Sequence, residues 1–364
     1  MVFLKLALDD LFNKNHKLSS NKTHLDLAMK WLISCFEMAE KKGISKGYFL
    51  FSGWKEVYPE VTGYCIPTFF EYYKQTKKRE HKEIALKMAD WLLSIQLKNG
   101  AFPASNLTAP LVFDTAQAIH GLIAVYKRTK NKKYLKSAVK AADWLVSIQE
   151  SNGSWKKFAF RNKTHAYHSQ VALALLFCFR LTKNRKYLES AKQNLDWVLS
   201  NQLSNGWFKN CAFYIHPSMH TMAYTLEGLL IGGKILRNNR YVSAAKKTAD
   251  VLLDLYKQKG LYCSYDKNWK YTTRSICLTG SAQISIIWLI LYSMTKERKY
   301  LKSAMKINNF LKKTQIASQN PDINGGIKGS HPIYGAYEPF RVLSWAAKFF
   351  VDVLMLEEEL KNVK

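Results

Sequence analysis

Two carboxylates, two histidines and a tyrosine have side chains suited to acid-base catalysis, and each stands near the start of an apolar helical segment. Glu60 follows a proline, and Asp114 is the second residue of the run FDTAQAIHGLIAVYKRT. Two carboxyl groups that flank a glycosidic bond can act as general acid and general base. His165, His220 and Tyr224 could move a proton or hydrogen-bond a substrate. Asp114 could instead cap its helix, and Glu60 could complement the helix dipole.

The histidines were also considered as metal ligands. His165 and His168 stand three residues apart, and His216 and His220 stand four apart, so each pair could share one face of a helix. Pro217 interrupts the second pair, however, and no thiolate or His-Glu-x-x-His pattern accompanies either one. The sequence therefore predicts no metal site and no cofactor.

A repeat of constant length determines where these residues fall. Trp91, Trp144 and Trp197 are separated by 53 residues each, and each stands in a close copy of ADWLVSIQESNGSW. Weaker copies around Trp31 and after residue 249 extend the series to six units. Such a period indicates stacked copies of one supersecondary unit.

Every unit has the same internal order. A segment with apolar residues at three- and four-residue spacing predicts an amphipathic helix, which we expect Asn-Gly to cap at its C-terminus. After a loop comes a helical segment that is apolar on most faces and should be buried. These apolar segments are residues 61–76, 113–129, 164–182, 220–236, 277–295 and 337–360. A charged turn leads back to the next amphipathic helix, so twelve alternating helices are predicted.

Six helical hairpins bury their apolar faces best in two concentric rings. The predicted fold is therefore all-α, an (α/α)6 toroid, with residues 1–23 as an N-terminal arm and residues 24–364 as a single domain. An open solenoid of helix pairs is the alternative. No terminal unit resembles the polar cap that a solenoid requires.

In a toroid, all inner helices start on the same side, and their first residues should converge at one mouth. The residues predicted to bind substrate there are Trp54, Tyr64, Gln117, Trp155, Tyr167, His168, Trp207, Arg274, Gln283, Lys328, Tyr337 and Arg341. Aromatic faces can stack on pyranose rings, amides can read hydroxyl groups, and the three cations suit an anionic sugar such as a uronic acid. Glu60 and Asp114 would be the acid-base pair, assisted by His165, His220 and Tyr224.

Charge and cysteine usage narrow the class of protein. The net charge is +28, with many lysines in the turns that follow the apolar segments. This charge indicates either a solvated surface or attraction to an anionic partner. No nucleic-acid recognition motif accompanies it. The six cysteines lack Cys-x-x-Cys spacing and indicate buried thiols in a reducing cytoplasm.

No membrane-spanning run or signal peptide is apparent in the sequence. No stretch of about eighteen apolar residues is free of charge. The start, MVFLKLALDDLFNK, combines a short apolar run with acidic residues, which a signal peptide does not have. A cytoplasmic location is predicted, and the oligomeric state is left open.

The repeated Gln-x-x-x-Gly-x-aromatic element (Gln96 to Phe102, Gln149 to Trp155) resembles the QW-type repeat of squalene-hopene cyclases and related prenyltransferase toroids. The helix-loop units also resemble those of six-hairpin glycosidase-like proteins, which include unsaturated glucuronyl hydrolases, polysaccharide lyases and sugar epimerases. The acidic DxDD motif of the cyclases is absent. Asp114 resembles the inner-helix aspartates that such hydrolases use.

The combined interpretation is an enzyme that acts on an acidic oligosaccharide or polysaccharide, most simply by glycoside hydrolysis. Elimination or epimerisation beside a uronate carboxyl, with tyrosine or histidine as base, is the nearest alternative. An isoprenoid cyclase or transferase and a non-catalytic glycan-binding or scaffold protein are two further alternatives.

Overall fold

Thirteen helices and five short strands make up the part of the chain that the computed structural model describes, residues 2–12 and 18–362. A short helix, α1 (Val2–Leu11), precedes two rings. The outer helices are α2 (Asn21–Met38), α4 (Arg79–Ile95), α6 (Lys132–Ser147), α8 (Arg185–Ser200), α10 (Asn239–Lys259) and α12 (Arg298–Thr314). The inner helices are α3 (Pro59–Thr76), α5 (Val112–Thr129), α7 (Ser169–Thr182), α9 (Met219–Leu236), α11 (Leu278–Thr295) and α13 (Ser344–Asn362).

The inner helices close into a ring because α13 returns to the start of the chain. Neighbouring inner helices pack in the order α3, α5, α7, α9, α11 and α13, and α13 also contacts α3. Each inner helix packs against the outer helix that follows it, and α13, which has none, packs against α2. This closure confirms the predicted toroid and excludes the open solenoid.

The repeated tyrosine and aspartate join consecutive outer helices. Tyr134 in the first turn of α6 donates a hydrogen bond of 2.8 Å from its Oη to Asp90 Oδ1 of α4. Tyr187 makes the same bond to Asp143 at 2.8 Å. The Lys-Tyr-Leu and Asp-Trp elements of the repeat therefore recur because they form one contact between neighbouring units.

The repeated glutamine makes a second contact between neighbouring units. Gln149 Nε2 donates to the carbonyls of Gly153 at 2.9 Å and Ser190 at 3.0 Å. Its Oε1 accepts a hydrogen bond of 2.6 Å from Ser190 Oγ. Gln96 makes the equivalent three bonds one unit earlier. The glutamine side chain thus ties the loop after one outer helix to the next outer helix.

Replacement of Gln149 by alanine should destabilise the toroid without altering its chemistry. The change removes three hydrogen bonds, although the Gly153 carbonyl still accepts one from Asn194 Nδ2. We expect a loss of about 2–3 kcal/mol in the free energy of unfolding. Urea denaturation measures this loss. Gln193→Ala, on the exposed surface of α8, is the control and should change stability by less than about 0.5 kcal/mol. Equal losses in both variants would contradict the proposed contact.

Three local predictions were wrong. The Asn-Gly pairs do not cap the outer helices, because α4 ends at Ile95, before Asn99-Gly100. They form separate turns instead, in which Gly100 has a φ of +95° and its N–H bonds the Leu97 carbonyl. The inner segments predicted to begin at 164 and 337 begin later. A 3₁₀ turn occupies Ala166–His168, and a strand precedes α13.

Short strands fix the loops on the side where the inner helices begin. β1 (Gly47–Phe49), β2 (Gly53–Trp54), β3 (Ile276–Cys277), β4 (Ser330–His331) and β5 (Arg341–Leu343) are all antiparallel to their partners. One sheet has the order β2-β1-β5, and β3 pairs with β4. The first sheet joins the loop before α3 to the loop before α13, so the ring is closed at its loops as well as at its helices.

The predicted arm contains α1, which is docked on the loop that precedes α13. Leu6 is buried, and Asp10 Oδ2 accepts a hydrogen bond of 2.7 Å from the backbone N–H of Ile333. α2 begins at Asn21, within the segment assigned to the arm. The division at residue 23 remains a prediction.

All six cysteines are buried and free, as predicted. Among the described residues, α11 is the one helix long and apolar enough to cross a membrane by length and composition. Most of it is buried as a member of the inner ring.

Candidate active site

A cavity of about 390 Å³ lies where the inner helices begin. Its wall is largely aromatic. The aromatic residues that line it are Tyr58, Phe113, Phe160, Tyr167, Phe213, Tyr214, Tyr224, Tyr337 and Trp345. Glu60, Asp114, His216, Ser218, His220 and Ser264 supply most of the polar groups. The structure therefore brings five of the predicted catalytic or binding residues around Asp114 into one aromatic cavity: Glu60, Tyr167, His220, Tyr224 and Tyr337.

Close packing of α3 against α5 places the two carboxylates in adjacent first turns. Gly63 lies one turn after Glu60, and a Cβ at Gly63 would be 2.4 Å from the carbonyl oxygen of Gln117, which lies one turn after Asp114. Only glycine permits this approach of the two backbones. Both Glu60 and Asp114 lie in the first turn of their helix and line the same cavity.

Asp114 is a fully buried carboxyl group with no hydrogen-bond partner among the described residues. Its exposed fraction is 0%, and neither carboxylate oxygen has a partner. It does not cap α5, because Leu111 occupies the N-cap position. Burial, and then the nearby charge of Glu60, raise the pKa of Asp114 well above its ordinary value of 3.8. Burial therefore favours the protonated form of this carboxyl group.

Glu60 is held in a more polar setting. Its Oε2 accepts a hydrogen bond of 2.6 Å from Tyr58 Oη. Burial raises the pKa of Glu60 to about 7, while the Tyr58 hydrogen bond and the charge of Lys46 act in the opposite direction. The two carboxyl groups titrate as a pair. The arrangement favours the protonated form of Asp114 beside a Glu60 that can ionise near neutral pH.

His220 is a neutral hydrogen-bonding group. Its Nδ1 lies 2.6 Å from Gln283 Oε1, which assigns the ring proton to Nδ1 and leaves Nε2 as an acceptor. Burial lowers the pKa of His220 to about 4. Tyr224 lies against it, with ring centroids 4.5 Å apart, and the buried Tyr224 hydroxyl has no hydrogen-bond partner among the described residues. Both side chains can accept or share a proton with a bound molecule.

The first pair of histidines packs behind Tyr167. The ring of His165 stacks on Tyr167 with centroids 4.6 Å apart, and its Nε2 lies 2.9 Å from the Phe160 carbonyl oxygen. His168 is buried, and neither of its ring nitrogens has a partner among the described residues. Neither histidine lines the main cavity. His165 lines a neighbouring cavity, and the catalytic and binding roles of the two histidines remain predictions. Within residues 2–12 and 18–362, no group of three histidine, cysteine or acidic side chains could hold a metal ion.

The three cations predicted to bind an anionic group lie outside the described wall of the main cavity. Lys328 is buried and forms an ion pair with Asp10. Arg341 forms an ion pair with Glu338. Arg274 is exposed on a loop and lines none of the cavities described for residues 2–12 and 18–362. The described wall of the main cavity contains no lysine or arginine.

The predicted tryptophans are also outside the main cavity. Trp155 has an exposed fraction of 0%, and its Nε1 donates to the Leu145 carbonyl at 2.8 Å. Trp54 donates to Asp322 and stacks on a buried ring. Trp207 lines a neighbouring cavity of about 440 Å³. The aromatic residue two positions after each glycine (Phe102, Trp155 or Phe208) is fully buried. Trp155 therefore belongs to the core.

Tyr64 and Gln117 lie deeper along the inner helices than predicted. They line a separate cavity of about 290 Å³ that Lys127 and Lys348 also line. Gln283 lies behind His220 and orients its ring.

Several residues of the cavity were not found from the sequence. They are Phe113, Phe160, Phe213, Tyr214, Ser218, Ser264 and Trp345. Phe113 and Trp345 stand in the first turn of an inner helix, the position that identified Glu60 and Asp114. Their position at the start of an inner helix is the sequence signal that identifies them.

Comparisons with solved structures identify the fold. An unsaturated glucuronyl hydrolase specific for heparin is similar, with a TM-score of 0.75 and 14% sequence identity over 94% of this chain and 98% of that chain. The chain has the fold of unsaturated glucuronyl hydrolases. The hydrolase from Bacillus sp. GL1 gives a TM-score of 0.72 at 12% identity, over 94% and 97% of the two chains.

A variant hydrolase of the same name, solved with dGlcA-Glc-Rha-Glc, gives a TM-score of 0.74 at 12% identity, over 94% and 97% of the two chains. Residues 113–174 match a family model described as pectic acid lyase. This segment contains Asp114 and Tyr167. No curated protein matches the sequence.

Proposed function

We propose that the protein hydrolyses a glycosidic bond in a uronate-containing oligosaccharide, with Asp114 as general acid and Glu60 as general base. The observation that carries the proposal is the state of Asp114. A carboxyl group that is buried, has no partner among the described residues and is shifted by burial toward its protonated form is a poor structural element, because it stabilises nothing around it. It is a suitable proton donor to the oxygen of a leaving group.

Glu60 supplies the complementary function. A carboxylate with a pKa near neutrality can take a proton from water as that water attacks the sugar ring. Tyr58 holds Glu60 in place by its hydrogen bond, and the aromatic wall offers stacking surfaces for pyranose rings. His220 Nε2 and the Tyr224 hydroxyl remain free to bind sugar hydroxyl groups.

The uronate part of the proposal is supported by two features. The first turns of α3 and α5 and the start of α9 face the cavity, so their N-terminal dipoles favour a negative group there. Burial favours the protonated form of Asp114, which adds no repulsion, and the ion pair with Arg341 offsets the charge of Glu338, a third carboxyl group of the wall. Solved proteins with this fold are named for glucuronyl hydrolysis, and one holds a sugar that begins with dGlcA.

Elimination is the second candidate, favoured by the match of residues 113–174 to a pectic acid lyase model. In this reaction, neutral His220 would remove the proton beside the uronate carboxyl group through Nε2, and the Tyr224 hydroxyl would donate a proton to the leaving oxygen. No cation lines the described wall to stabilise the resulting charge, which is why hydrolysis is placed first.

The two reactions can be separated by mass spectrometry of products formed in water enriched in heavy oxygen. Saturated and unsaturated uronate oligosaccharides are incubated with the purified protein. Hydrolysis is expected to give fragments that gain one water with the heavy isotope. Unsaturated fragments without the isotope would mean elimination, and unchanged chains across the whole set would contradict both. Purified Asp114→Asn is the control for a contaminating activity.

A further inference from the structure

The side of the toroid opposite the cavity has a uniform chemical character. The inner helices begin at the cavity, so they all end on the other side, where they turn into the following outer helices. Five turns join an inner to an outer helix, and each consists of two residues. The first residue of each turn is a lysine or arginine: Lys77, Lys130, Lys183, Arg237 and Lys296. We call these five turns the basic face.

The backbone presents all five side chains in the same way. Each residue is the C-cap of its inner helix and has left-handed geometry, with φ between 53° and 61°. All five are exposed, and none has a carboxylate partner within the described residues. A cation at a helix C-terminus stabilises the helix dipole. This effect explains a cation at the C-cap of each helix. It does not explain the additional exposed cations that lie next to these C-caps.

Neighbouring residues extend the charge. Lys78, Lys132 and Arg298 also lie in or directly after these turns, exposed and without a carboxylate partner within the described residues. Two carboxylates, Glu80 and Glu297, also lie in or directly after these turns. Glu297 pairs with Lys246 and Lys299, and Asp90 accepts bonds from Tyr134 and Lys133. Cations outnumber carboxylates at these turns, so the basic face keeps a positive charge.

The basic turns do not form a complete ring, because no such turn follows the sixth inner helix, α13, within the described residues. Here α13 ends, and Glu357 is bonded by Asn21, Asn308 and Lys361. The five connections have the same length and cap geometry, so they present their cations alike around the ends of the inner helices. A broad array of exposed cations complements the negative surface of an anionic bilayer.

We propose that the basic face binds the anionic headgroups of a phospholipid bilayer and leaves the cavity open on the side away from the membrane. Basic residues near an anionic bilayer add to affinity roughly independently, about five-fold each. The proposal does not depend on the reaction performed in the cavity.

Vesicle sedimentation tests this inference with the full chain. Phosphatidylcholine vesicles, with and without phosphatidylglycerol, are mixed with the protein at low and high salt. We expect binding to the anionic vesicles only, and loss of that binding as salt is raised. Equal binding to both vesicles, or to neither, would overturn the proposal.

A matched pair of triple variants locates the surface. Lys130→Gln, Lys183→Gln and Lys296→Gln together should weaken binding to anionic vesicles roughly 100-fold. Lys98→Gln, Lys209→Gln and Lys267→Gln remove the same charge from exposed loops on the cavity side and should change it less than about three-fold. Equal losses in the two triple variants would indicate diffuse charge and contradict a basic face.

Two further measurements complete the test. Thermal unfolding of both triple variants confirms that each is folded. Binding to heparin or duplex DNA is measured in parallel. If the basic-face variant loses polymer binding while the wild-type protein ignores anionic vesicles, the partner is a polymer and the membrane proposal is wrong.

Discussion

Replacement of Asp114 by asparagine is expected to reduce turnover by about 10²- to 10⁴-fold, the usual contribution of a general acid. Asparagine has nearly the same shape but cannot donate the proton, so binding of substrate should change little. The measurement is kcat and KM on an oligosaccharide identified by mass spectrometry. Turnover within ten-fold of the wild-type value would contradict the assignment of Asp114 as the acid.

The same variant should be more stable than the wild-type protein at neutral pH. The folded-state pKa of Asp114 lies above the ordinary value of 3.8, so stability from its proton is present below that value and is lost as pH rises toward the folded pKa. Asparagine has no such loss. The difference in melting temperature should therefore widen as pH rises from about 4. A substitution that lowers activity and raises stability is typical of a catalytic side chain that destabilises the folded protein.

Glu227→Gln is the matched control. Glu227 is a second carboxyl group of the inner ring, burial raises its pKa, and it bonds Gln170 at 2.9 Å. It lines the separate cavity with Lys348 and not the main cavity. Turnover of Glu227→Gln should stay within about two-fold of the wild-type value. A loss as large as that of Asp114→Asn would mean that any buried inner carboxylate is required for folding.

The fold could be predicted because the residues that make its contacts recur in every clear copy of the repeat. Gln149, Asp143 and Tyr187 make bonds between units that their counterparts repeat 53 residues earlier. The same reasoning located Glu60 and Asp114, since both stand in the first turn of an inner helix. Where the repeat lapses, as in the loops before α7 and α13, the predicted starts of the helices were wrong.

The positions of the three predicted cations could not be derived from the sequence, for a different reason. A position close to an inner helix in the sequence does not determine which carboxylate a long cationic side chain will contact. Lys328 pairs with Asp10, which is 318 residues away, because a buried cation needs a counter-charge. Trp155 turned into the core because an indole ring gains more free energy from burial than from a place at the rim. Long-range partners of this kind have no local signal in the sequence.

Replacement of Glu60 by glutamine should abolish the acid limb of the pH-rate profile. If Glu60 is the base, turnover of the wild-type protein rises as pH increases through its pKa of about 7, because only the ionised form accepts a proton. It should fall again at higher pH, when Asp114 loses its proton. We expect Glu60→Gln to lose about 10²- to 10⁴-fold in turnover, and its residual activity should not rise between pH 6 and 8, roughly one unit either side of that pKa.

Tyr58→Phe tests the same assignment without removing the base. The Tyr58 hydrogen bond stabilises the ionised form of Glu60 and so lowers its pKa. Without it, the pKa of Glu60 should rise further above 7, and the acid limb should move to higher pH while turnover at the plateau is kept. Tyr167→Phe removes another hydroxyl group from the cavity wall but no hydrogen bond to Glu60. An acid limb that moves equally in both variants, or in neither, would mean that the group titrating near pH 7 is not Glu60.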